Sequence, residues 1–345
     1  MTSTTQERPT EVGPRRSRVW RGGAVVAADV TVAEITEQLE GDEATRAWWW
    51  VPRTAEALRP TAELFALDGL AVDDVLSDRE PPKLDTVGRT VLLIGALVSF
   101  DAGAEELRRD PVAVLATDRM LAVVADESAG AALTRRLAEN TTVLSADGVA
   151  AGLHLLLDTM VHSETKTLLA MEDAADELTT SLFDDKPMNR ADQLRAFRLR
   201  QSIAALRRVS APMAEILLDL SGAAARAAAD DDPLADLLHG GVIRRMQDVC
   251  DHAQHAAAET NTLRELLSSA YETNLALSDV HLNVIMKKLS AWAAIIAVPT
   301  LITGFLGMNV PYPGFGDGQG FLAGLTVMVL AVLTLFVLFK RRGWL

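Results

Sequence analysis

Residues 304–314, GFLGMNVPYPG, combine oxygen donors with a complete absence of charge. Asn309 is the only amide side chain in this stretch, and Gly307 and Met308 before it can supply backbone carbonyls. Neutral oxygens can bind a hydrated cation and still release it, whereas a ring of carboxylates would hold a divalent cation too tightly to let it leave. A plain loop with a helix-capping asparagine is the alternative interpretation.

Two uncharged runs flank this stretch. They cover residues 289–308 and 321–339 and contain 20 and 19 residues, close to the about 20 that a helix needs to cross the hydrocarbon core of a bilayer. Two consecutive runs of this length predict membrane-spanning helices rather than a buried pair in a soluble domain. The bases beside them are Lys287 and Lys288 before the first run and Lys340, Arg341 and Arg342 after the second. The positive-inside rule therefore predicts that both outer flanks, and both termini, are cytoplasmic.

The charge of the 345 residues is very unevenly distributed. The whole chain has a formal net charge of −14, and residues 289–345 hold one acid and three bases, a net +2, so the first 288 residues carry −16. Such an acidic body disfavours nucleic acid as a partner and attracts cations. The single cysteine, Cys250, excludes an internal disulfide and suits a reducing compartment.

The first half of the chain has the pattern of an α/β domain. Residues 1–18 have no apolar stretch that could act as a signal peptide and are predicted to be disordered, so we expect the bulk of the chain in the cytoplasm. Residues 19–145 alternate short apolar strands with amphipathic helices. The strand-like runs are RAWWWVP at 46–52, TVLLIGALVSF at 90–100, VAVLA at 112–116 and MLAVVA at 120–125, and the helix-like stretches are 31–40, 55–67 and 129–138.

A helical region follows. Residues 146–233 are predicted to form an antiparallel helical hairpin whose turn is FDDKPMN, and residues 234–308 to form a stalk helix that runs into the first membrane span. A helix of about 60 residues is about 90 Å long and is not stable alone, so the stalk must pack against copies of itself or against the hairpin. A self-associating seam is favoured by the 4-3 spacing of Leu263, Leu267, Ala270, Asn274, Leu277, His281 and Val284.

The first span carries a stripe of small and polar residues at spacings of three and four. It consists of Ser290, Ala293, Ala297, Thr300, Gly304 and Gly307. Small residues let membrane helices approach closely, so the stripe is consistent with plain helix packing. It is equally consistent with the wall of a pore, which would require a ring of subunits because one hairpin cannot enclose a channel.

Several short motifs of this sequence also resemble those of a known protein family. The GMN at 307–309, at the end of the first of two C-terminal spans, and the basic terminus KRRGWL resemble the CorA family of magnesium channels. The similarity covers roughly residues 20–345. Further matching stretches are QDVCDH at 247–252, RELLSS at 264–269, NVIMKKL at 283–289 and LAVDDVLSDREPPKLD at 70–85.

The resemblance implies an α+β membrane protein that forms a funnel-shaped homopentamer in the lipid bilayer of the cytoplasmic membrane. Stalks and first spans would line the pore, the second spans at 321–340 would form an outer ring, the GMN loop would be 309–320, and 341–345 would be a basic cytoplasmic tail. Mg²⁺ would be both the transported ion and a regulator, with Co²⁺ and Ni²⁺ as alternative cargo and no organic cofactor. Because Mg²⁺ keeps its waters, the neutral oxygens of Gly307, Met308 and Asn309 would form the selectivity filter.

Other positions match functional residues of the family one by one. Asn283, Met286 and Leu289 match the narrow cytoplasmic neck whose apolar rings gate conduction, and Thr300 matches a polar ring higher in the pore. Asp248 matches the stalk carboxylate of an intersubunit magnesium site, for which Asp101 is the expected facing acid.

The sequence departs from the family pattern at two points, and these differences leave open which ion is favoured. Leu306 stands where the family commonly has Tyr, and Asp317 is the only acid after the GMN motif. His252 and His255, one helical turn apart, suggest either a zinc transporter of the related ZntB type or ordinary polar surface. The chain has no P-loop, GxSxG or HExxH motif, which argues against an enzyme. A membrane-anchored interaction protein is the remaining alternative, although an anchor needs neither the small stripe nor the GMN.

Overall fold

Alternating apolar residues build a seven-stranded sheet in the first of the chain's two units. The computed structural model describes residues 16–182, 190–226, 237, 241–308 and 318–345. Unit 1 comprises residues 1–181 and 188–267, and unit 2 comprises residues 182–187 and 268–345.

The sheet of unit 1 is mixed and runs in the order β2-β1-β3-β7-β6-β5-β4. Only β3 and β7 pair in parallel, and every other neighbouring pair is antiparallel. The strands are β1 (Ser17–Arg21), β2 (Ala24–Ala28), β3 (Thr45–Pro52), β4 (Lys83–Val87), β5 (Thr90–Asp101), β6 (Glu106–Ala116) and β7 (Met120–Ala125).

Both faces of this sheet are buried, because successive side chains of a strand point to opposite sides. Trp48 belongs to one apolar cluster and Trp49 to the other, and Leu92 and Leu93 divide in the same way. A sheet covered on both faces is the three-layer arrangement expected of an α/β domain.

Three short helices cover one face of the sheet. They are α1 (Val32–Gly41), α2 (Ala55–Leu64) and α3 (Gly69–Leu76), and their buried residues share a cluster with Trp49 and Leu92. Each begins after a residue whose side-chain oxygen accepts a hydrogen bond from the first turn: Thr31, Thr54 and Asp68. Such caps satisfy backbone N–H groups that have no partner inside the helix.

Longer helices cover the other face. They are α4 (Glu127–Glu139), α5 (Thr141–Leu182), α6 (Arg190–Arg226) and the N-terminal part of α7, a helix that spans Gly241–Leu306. Helix α5 is broken at Gly148, whose φ of 65° is left-handed and favours glycine. Late α5 residues share an apolar cluster with early α6 residues, so these two helices run antiparallel. The predicted α/β domain and long helices are therefore present, whereas the whole turn FDDKPMN lies outside the described residues.

Unit 2 contains the C-terminal part of α7 and helix α8 (Gly318–Arg341). Its side chains are mostly exposed, and none of the residues of α8 is buried. The apolar surface of this helix pair is therefore not covered by its own chain.

Several sequence expectations need correction. Strand β1 begins at Ser17, so the last two residues of the segment expected to be disordered belong to the sheet, while residues 1–15 lie outside the described ones. The expected self-associating seam begins with Leu263 and Leu267, but both are buried in a cluster with α5 and α6 of the same chain. Because the apolar face of the hairpin covers these leucines, the seam prediction is wrong at its first two positions.

The family-like stretch at 70–85 forms α3, a loop and the start of β4. The Lys83 ammonium lies 2.7 Å from the Asp74 carboxylate and 2.8 Å from that of Glu80. Arg53 pairs with Asp78, and Arg109 donates to the backbone carbonyl of Glu80. The charges of this stretch therefore hold the loop against the domain.

Candidate ion pathway and metal-binding residues

One side of α7 in unit 2 packs against α8. Ala291 and Ile295 are buried, and Val298, Ile302 and Leu306 continue the same side as half-buried residues. Gly324 of α8 comes so close to Leu306 that a Cβ atom there would overlap the leucine side chain. A glycine at this point lets the two helices approach closely, as is usual for membrane helices.

The small stripe lies on the opposite side of α7. At about 100° per residue, Ala293, Ala297, Thr300 and Gly304 fall on the side facing away from Ala291 and Ile295. All four are exposed, and together with larger neighbours they line an apolar groove along the helix. Packing against α8 therefore does not explain the stripe, whose surface is not covered by the described part of the chain.

Two of the three residues matched to the neck lie on the same side, closer to the N-terminal end of α7. Asn283, Met286 and Leu289 are exposed, with 64% of Met286 and 70% of Leu289 accessible. The same helical rotation that places Ala293 and Thr300 opposite α8 also places Met286 and Leu289 there, whereas Asn283 is about 100° around the helix from Thr300. One continuous exposed face thus runs from Met286 to Gly307.

This face offers few polar groups. The Thr300 hydroxyl donates to the Ile296 carbonyl at 2.9 Å, which leaves its oxygen lone pairs available on the exposed side. The other described side chains of the groove are apolar. A pathway along this face would therefore bind an ion weakly between its two ends.

The GMN motif is described in part. Gly307 donates its N–H to the Thr303 carbonyl at 2.8 Å and Met308 to that of Phe305 at 3.2 Å, so both residues close the last turn of α7. Their own carbonyls follow the end of the helix, where four carbonyl groups have no partner inside it. Asn309 and the rest of the turn up to Asp317 lie outside the described residues.

Asp248 is an exposed acid on the N-terminal part of α7. One turn before it, Arg245 binds the Asp147 carboxylate at 2.6 Å. Burial lowers the pKa of the neighbouring His154, and the charges of Asp158 and Asp248 oppose that shift. Asp248 therefore faces solvent at the edge of a charged cluster.

Asp101 ends strand β5 and has a role within its own turn. Its Oδ1 atom accepts hydrogen bonds from the N–H groups of Gly103 at 2.9 Å and Ala104 at 3.1 Å. The tip of this hairpin is tied to α6 by an ion pair of 2.6 Å between Arg195 and Glu105. Asp248 instead lies beside the start of α5, so one chain does not bring the two acids together.

No complete metal site exists within one chain in the part that the structure describes, where no group of three or more His, Cys, Asp or Glu side chains could hold an ion. The histidine pair does not supply one, since the His255 ring lies 2.8 Å from the Glu259 carboxylate on the same helix. Asp248 is therefore not part of a complete metal site within the described residues of one chain.

Three described helices are long and apolar enough to cross a membrane by length and composition: Thr141–Thr180, Val242–Leu306 and Gly318–Arg341. In the first, 56% of the most apolar window is buried in the domain, against 11% and 0% in the other two. The α5 segment is thus explained as core, whereas the other two match the predicted spans.

Comparisons with known proteins agree with this pattern. The profile of the family described as "CorA-like Mg2+ transporter protein" matches residues 49–341. The chain belongs to this family. The resemblance drawn from the GMN motif is therefore confirmed, and the chain is a member of a family of membrane transporters.

Two curated relatives are both named cobalt/magnesium transport protein CorA. That of Thermotoga maritima is 24% identical over 293 residues, which cover 84% of this chain and 80% of the relative. That of Methanocaldococcus jannaschii is 39% identical over 84 residues, covering 24% of this chain and 26% of the relative.

Solved structures extend the likeness to the fold. The complete structure of the CorA magnesium transporter from Methanocaldococcus jannaschii matches with a TM-score of 0.72 at 20% identity, covering 87% of this chain and 92% of the other. The full-length CmaX protein matches with a TM-score of 0.66 at 20% identity, covering 96% and 99%. At this identity the structures show a shared fold.

Proposed function

We propose that this protein is a homopentameric channel for Mg²⁺ in the cytoplasmic membrane, with both termini in the cytoplasm. The observation that carries the proposal is the continuous exposed face of α7 from Met286 to Gly307, opposite the side covered by α8. Five copies of this face around an axis would enclose a pathway, with the α8 helices outside it. The number five rests on the family resemblance, and native mass spectrometry of the purified protein tests it.

In this arrangement the ion meets neutral oxygens at the outer mouth. The carbonyls of Gly307 and Met308 and the amide of Asn309 would contact the water shell of Mg²⁺, which dehydrates reluctantly. The ion then passes the weakly polar groove at Thr300 and leaves through the neck. An inside-negative potential favours entry of a doubly charged ion by about 4.6 kcal/mol per 100 mV, twice the value for one charge, so uptake needs no coupling to another gradient.

Family membership supports magnesium rather than zinc as the cargo. The names of both curated relatives include cobalt, so Co²⁺ is a competing ion, and Ni²⁺ belongs with it by charge and size. Flux into proteoliposomes with Mg²⁺, Co²⁺, Ni²⁺ and Zn²⁺ in competition decides the order. If the proteoliposomes took up Zn²⁺ but not Mg²⁺, and Zn²⁺ inhibited the flux of the other ions, the assignment of Mg²⁺ as the cargo would be overturned.

The selectivity role is tested at Asn309. The change Asn309→Ala removes the only amide of the GFLGMNVPYPG stretch and should abolish Mg²⁺ uptake into proteoliposomes while the oligomer stays assembled. Gln319→Ala, which removes the exposed amide at the start of α8, is the matched control and should leave uptake near the parent rate. Near-normal flux through the Asn309 variant would sink the assignment of this residue as the filter.

We further propose that cytosolic Mg²⁺ closes the channel by bridging subunits through Asp248, with Asp101 as the facing acid. Five bodies of −16 repel one another, and a divalent ion between carboxylates converts that repulsion into attraction. A ligand shifts an equilibrium only when it binds one state better, so the bridges must exist in the closed state alone. Falling magnesium would empty them and let the stalks relax the apolar rings of Met286 and Leu289.

A further inference from the structure

Glu164 is a carboxylic acid enclosed in the helical bundle of unit 1. Its relative exposure is 0%, and neither of its carboxyl oxygens has a hydrogen-bond partner in the structure. It stands on α5 between Met160 and Leu168, at a position where the helical pattern otherwise places apolar residues. A buried carboxyl without partners is costly when ionised, far more than when it carries its proton.

The neighbouring helices bring little polarity to this position. Met160 of α5 and Met213 of α6 both meet at Gly95 of β5, and the two helices run antiparallel, so Glu164 lies level with the residues just before Met213. Ser210 is among them, and its buried hydroxyl also lacks a partner in the described structure. Glu164 and Ser210 thus mark one level of the α5 and α6 pair where polar atoms are enclosed.

At the level of Glu164, the buried residues of helix α7 are alanines. Its Arg245 pairs with Asp147 at the start of α5, and its Glu259 acts electrostatically on Glu172 farther along α5. Between these two points α7 supplies the buried Ala253 and Ala256. The side of α7 nearest to the Glu164 level is therefore apolar.

Charged groups on the surrounding elements do not reach Glu164. The ionisable residues closest along α5, His162 and Lys166, are exposed, and so are Arg207 and Arg208 of α6, just before Ser210. Those of α7, His255 and Glu259, bind each other. The side chain of Ser163 faces the sheet, where it accepts from the Val98 N–H. Burial is the only cause that raises the pKa of Glu164, to about 8.

We propose that Glu164 is a proton-binding site of the cytoplasmic bundle, which packs around the neutral acid and loosens when the proton leaves. The proton passes from the carboxyl group to water, and the remaining carboxylate draws water between α5, α6 and α7. The cytoplasmic part of α7 belongs to this bundle, so alkaline pH acts on the helix that carries the gate. That last consequence rests on the proposed channel function, whereas proton binding does not.

The pH dependence has a definite sign. Between the ordinary glutamate pKa of 4.5 and the value of about 8 in the bundle, the folded state holds a proton that the unfolded state has lost. Stability therefore falls as the pH rises through this window and levels off above it. Folding at low pH is insensitive to the site because both states are then protonated.

Infrared spectroscopy of the full-length protein in detergent tests the site, because the C=O stretch of a protonated carboxyl is separate from the bands of a carboxylate. At neutral pH almost all of the 47 acidic side chains are ionised. The parent should show a protonated-carboxyl band that disappears as the pH is raised to about 9, one unit above the pKa in the bundle. Glu164→Gln should lack the band, and Glu215→Gln, which neutralises an exposed acid of α6, should keep it.

A second variant guards against a folding defect. Glu164→Leu replaces the buried acid by an apolar side chain of similar size and should keep the parent's melting temperature near pH 5 and exceed it near pH 9, by several degrees on the usual scale. A band that persists in Glu164→Gln, a parent without the band at neutral pH, or equal alkaline loss of stability in the parent and in Glu164→Leu would each overturn the proposal. None of these readings depends on ion flux, so the channel function stands or falls separately.

Discussion

Helices α5 and α8 are both apolar enough to cross a membrane, yet they belong to different environments. The most apolar window of α5 has a mean hydropathy of 1.2 and is 56% buried inside the domain, whereas that of α8 has 2.7 and is 0% buried. The apolar side chains of α5 are covered by the sheet and by α6 and α7. Those of α8 must be covered by something other than their own chain. What encloses a helix, rather than its composition alone, therefore decides whether it is core or span.

The strongest test of this comparison uses one exposed leucine on each of the two helices. Leu330 in the middle of α8 is 57% exposed and Leu169 on α5 is 55% exposed. Lysine at the centre of a membrane helix costs about 2.5–3.5 kcal/mol on the insertion scale. Leu330→Lys should therefore greatly reduce the amount of membrane-inserted protein, measured by fractionation of expressing cells.

Leu169→Lys is the control for that experiment. An exposed residue on a water-facing helix tolerates the change within about 0.5 kcal/mol, so this variant should insert like the parent. Equal insertion of both variants would mean that α8 is not in contact with lipid.

A second test, with an expected effect of intermediate size, compares substitutions on two sides of α7. If the exposed Leu289 contributes to an apolar ring that blocks ions by dewetting, Leu289→Asn should leak Mg²⁺ at internal concentrations that close the parent. The leak should raise flux several-fold in proteoliposomes loaded with Mg²⁺. Val284→Asn changes an exposed residue about 140° away around the same helix and should not leak. Unchanged closure in Leu289→Asn would move the gate to another position.

The smallest expected effect concerns the acidic surface of unit 1. Bound Mg²⁺ should protect the stalk of the parent from proteolysis, and Asp248→Ala should weaken the protection and raise flux at high internal Mg²⁺ by a few-fold. Asp251→Ala removes another exposed acid of the same helix and serves as the control. If Asp248→Ala keeps the parent's protection and closure profile, Asp248 is only a surface acid and the sensor lies elsewhere.

Local patterns predicted much of this fold. The runs at 46–52, 90–100 and 120–125 coincide closely with strands β3, β5 and β7, because their continuous apolar character reflects a sheet buried on both faces. The two uncharged runs coincide with the C-terminal part of α7 and with α8. These features were predictable because they depend on neighbours in sequence.

Features that depend on long-range packing were not predictable. Leu263 and Leu267 have the spacing of a coiled-coil seam, but only the fold shows that α5 and α6 cover them. The spacing of the small stripe could not show whether it packs against the second span, and the structure places α8 on the opposite side of α7. Glu164 did leave a signal, since it interrupts an apolar helical pattern, but a single acid in a chain with 47 acids is easily taken for surface.

The central claim is that ions move along the exposed face of α7, and thiol accessibility tests it most directly. In a background with the buried Cys250 replaced by alanine, Thr300→Cys places a thiol on the proposed pathway and Ile302→Cys places one on the side toward α8. A small, positively charged methanethiosulfonate reagent added to open channels should block Mg²⁺ flux through Thr300→Cys and leave Ile302→Cys unaffected. Equal reaction and equal block at both positions, or block at Ile302→Cys alone, would contradict the account.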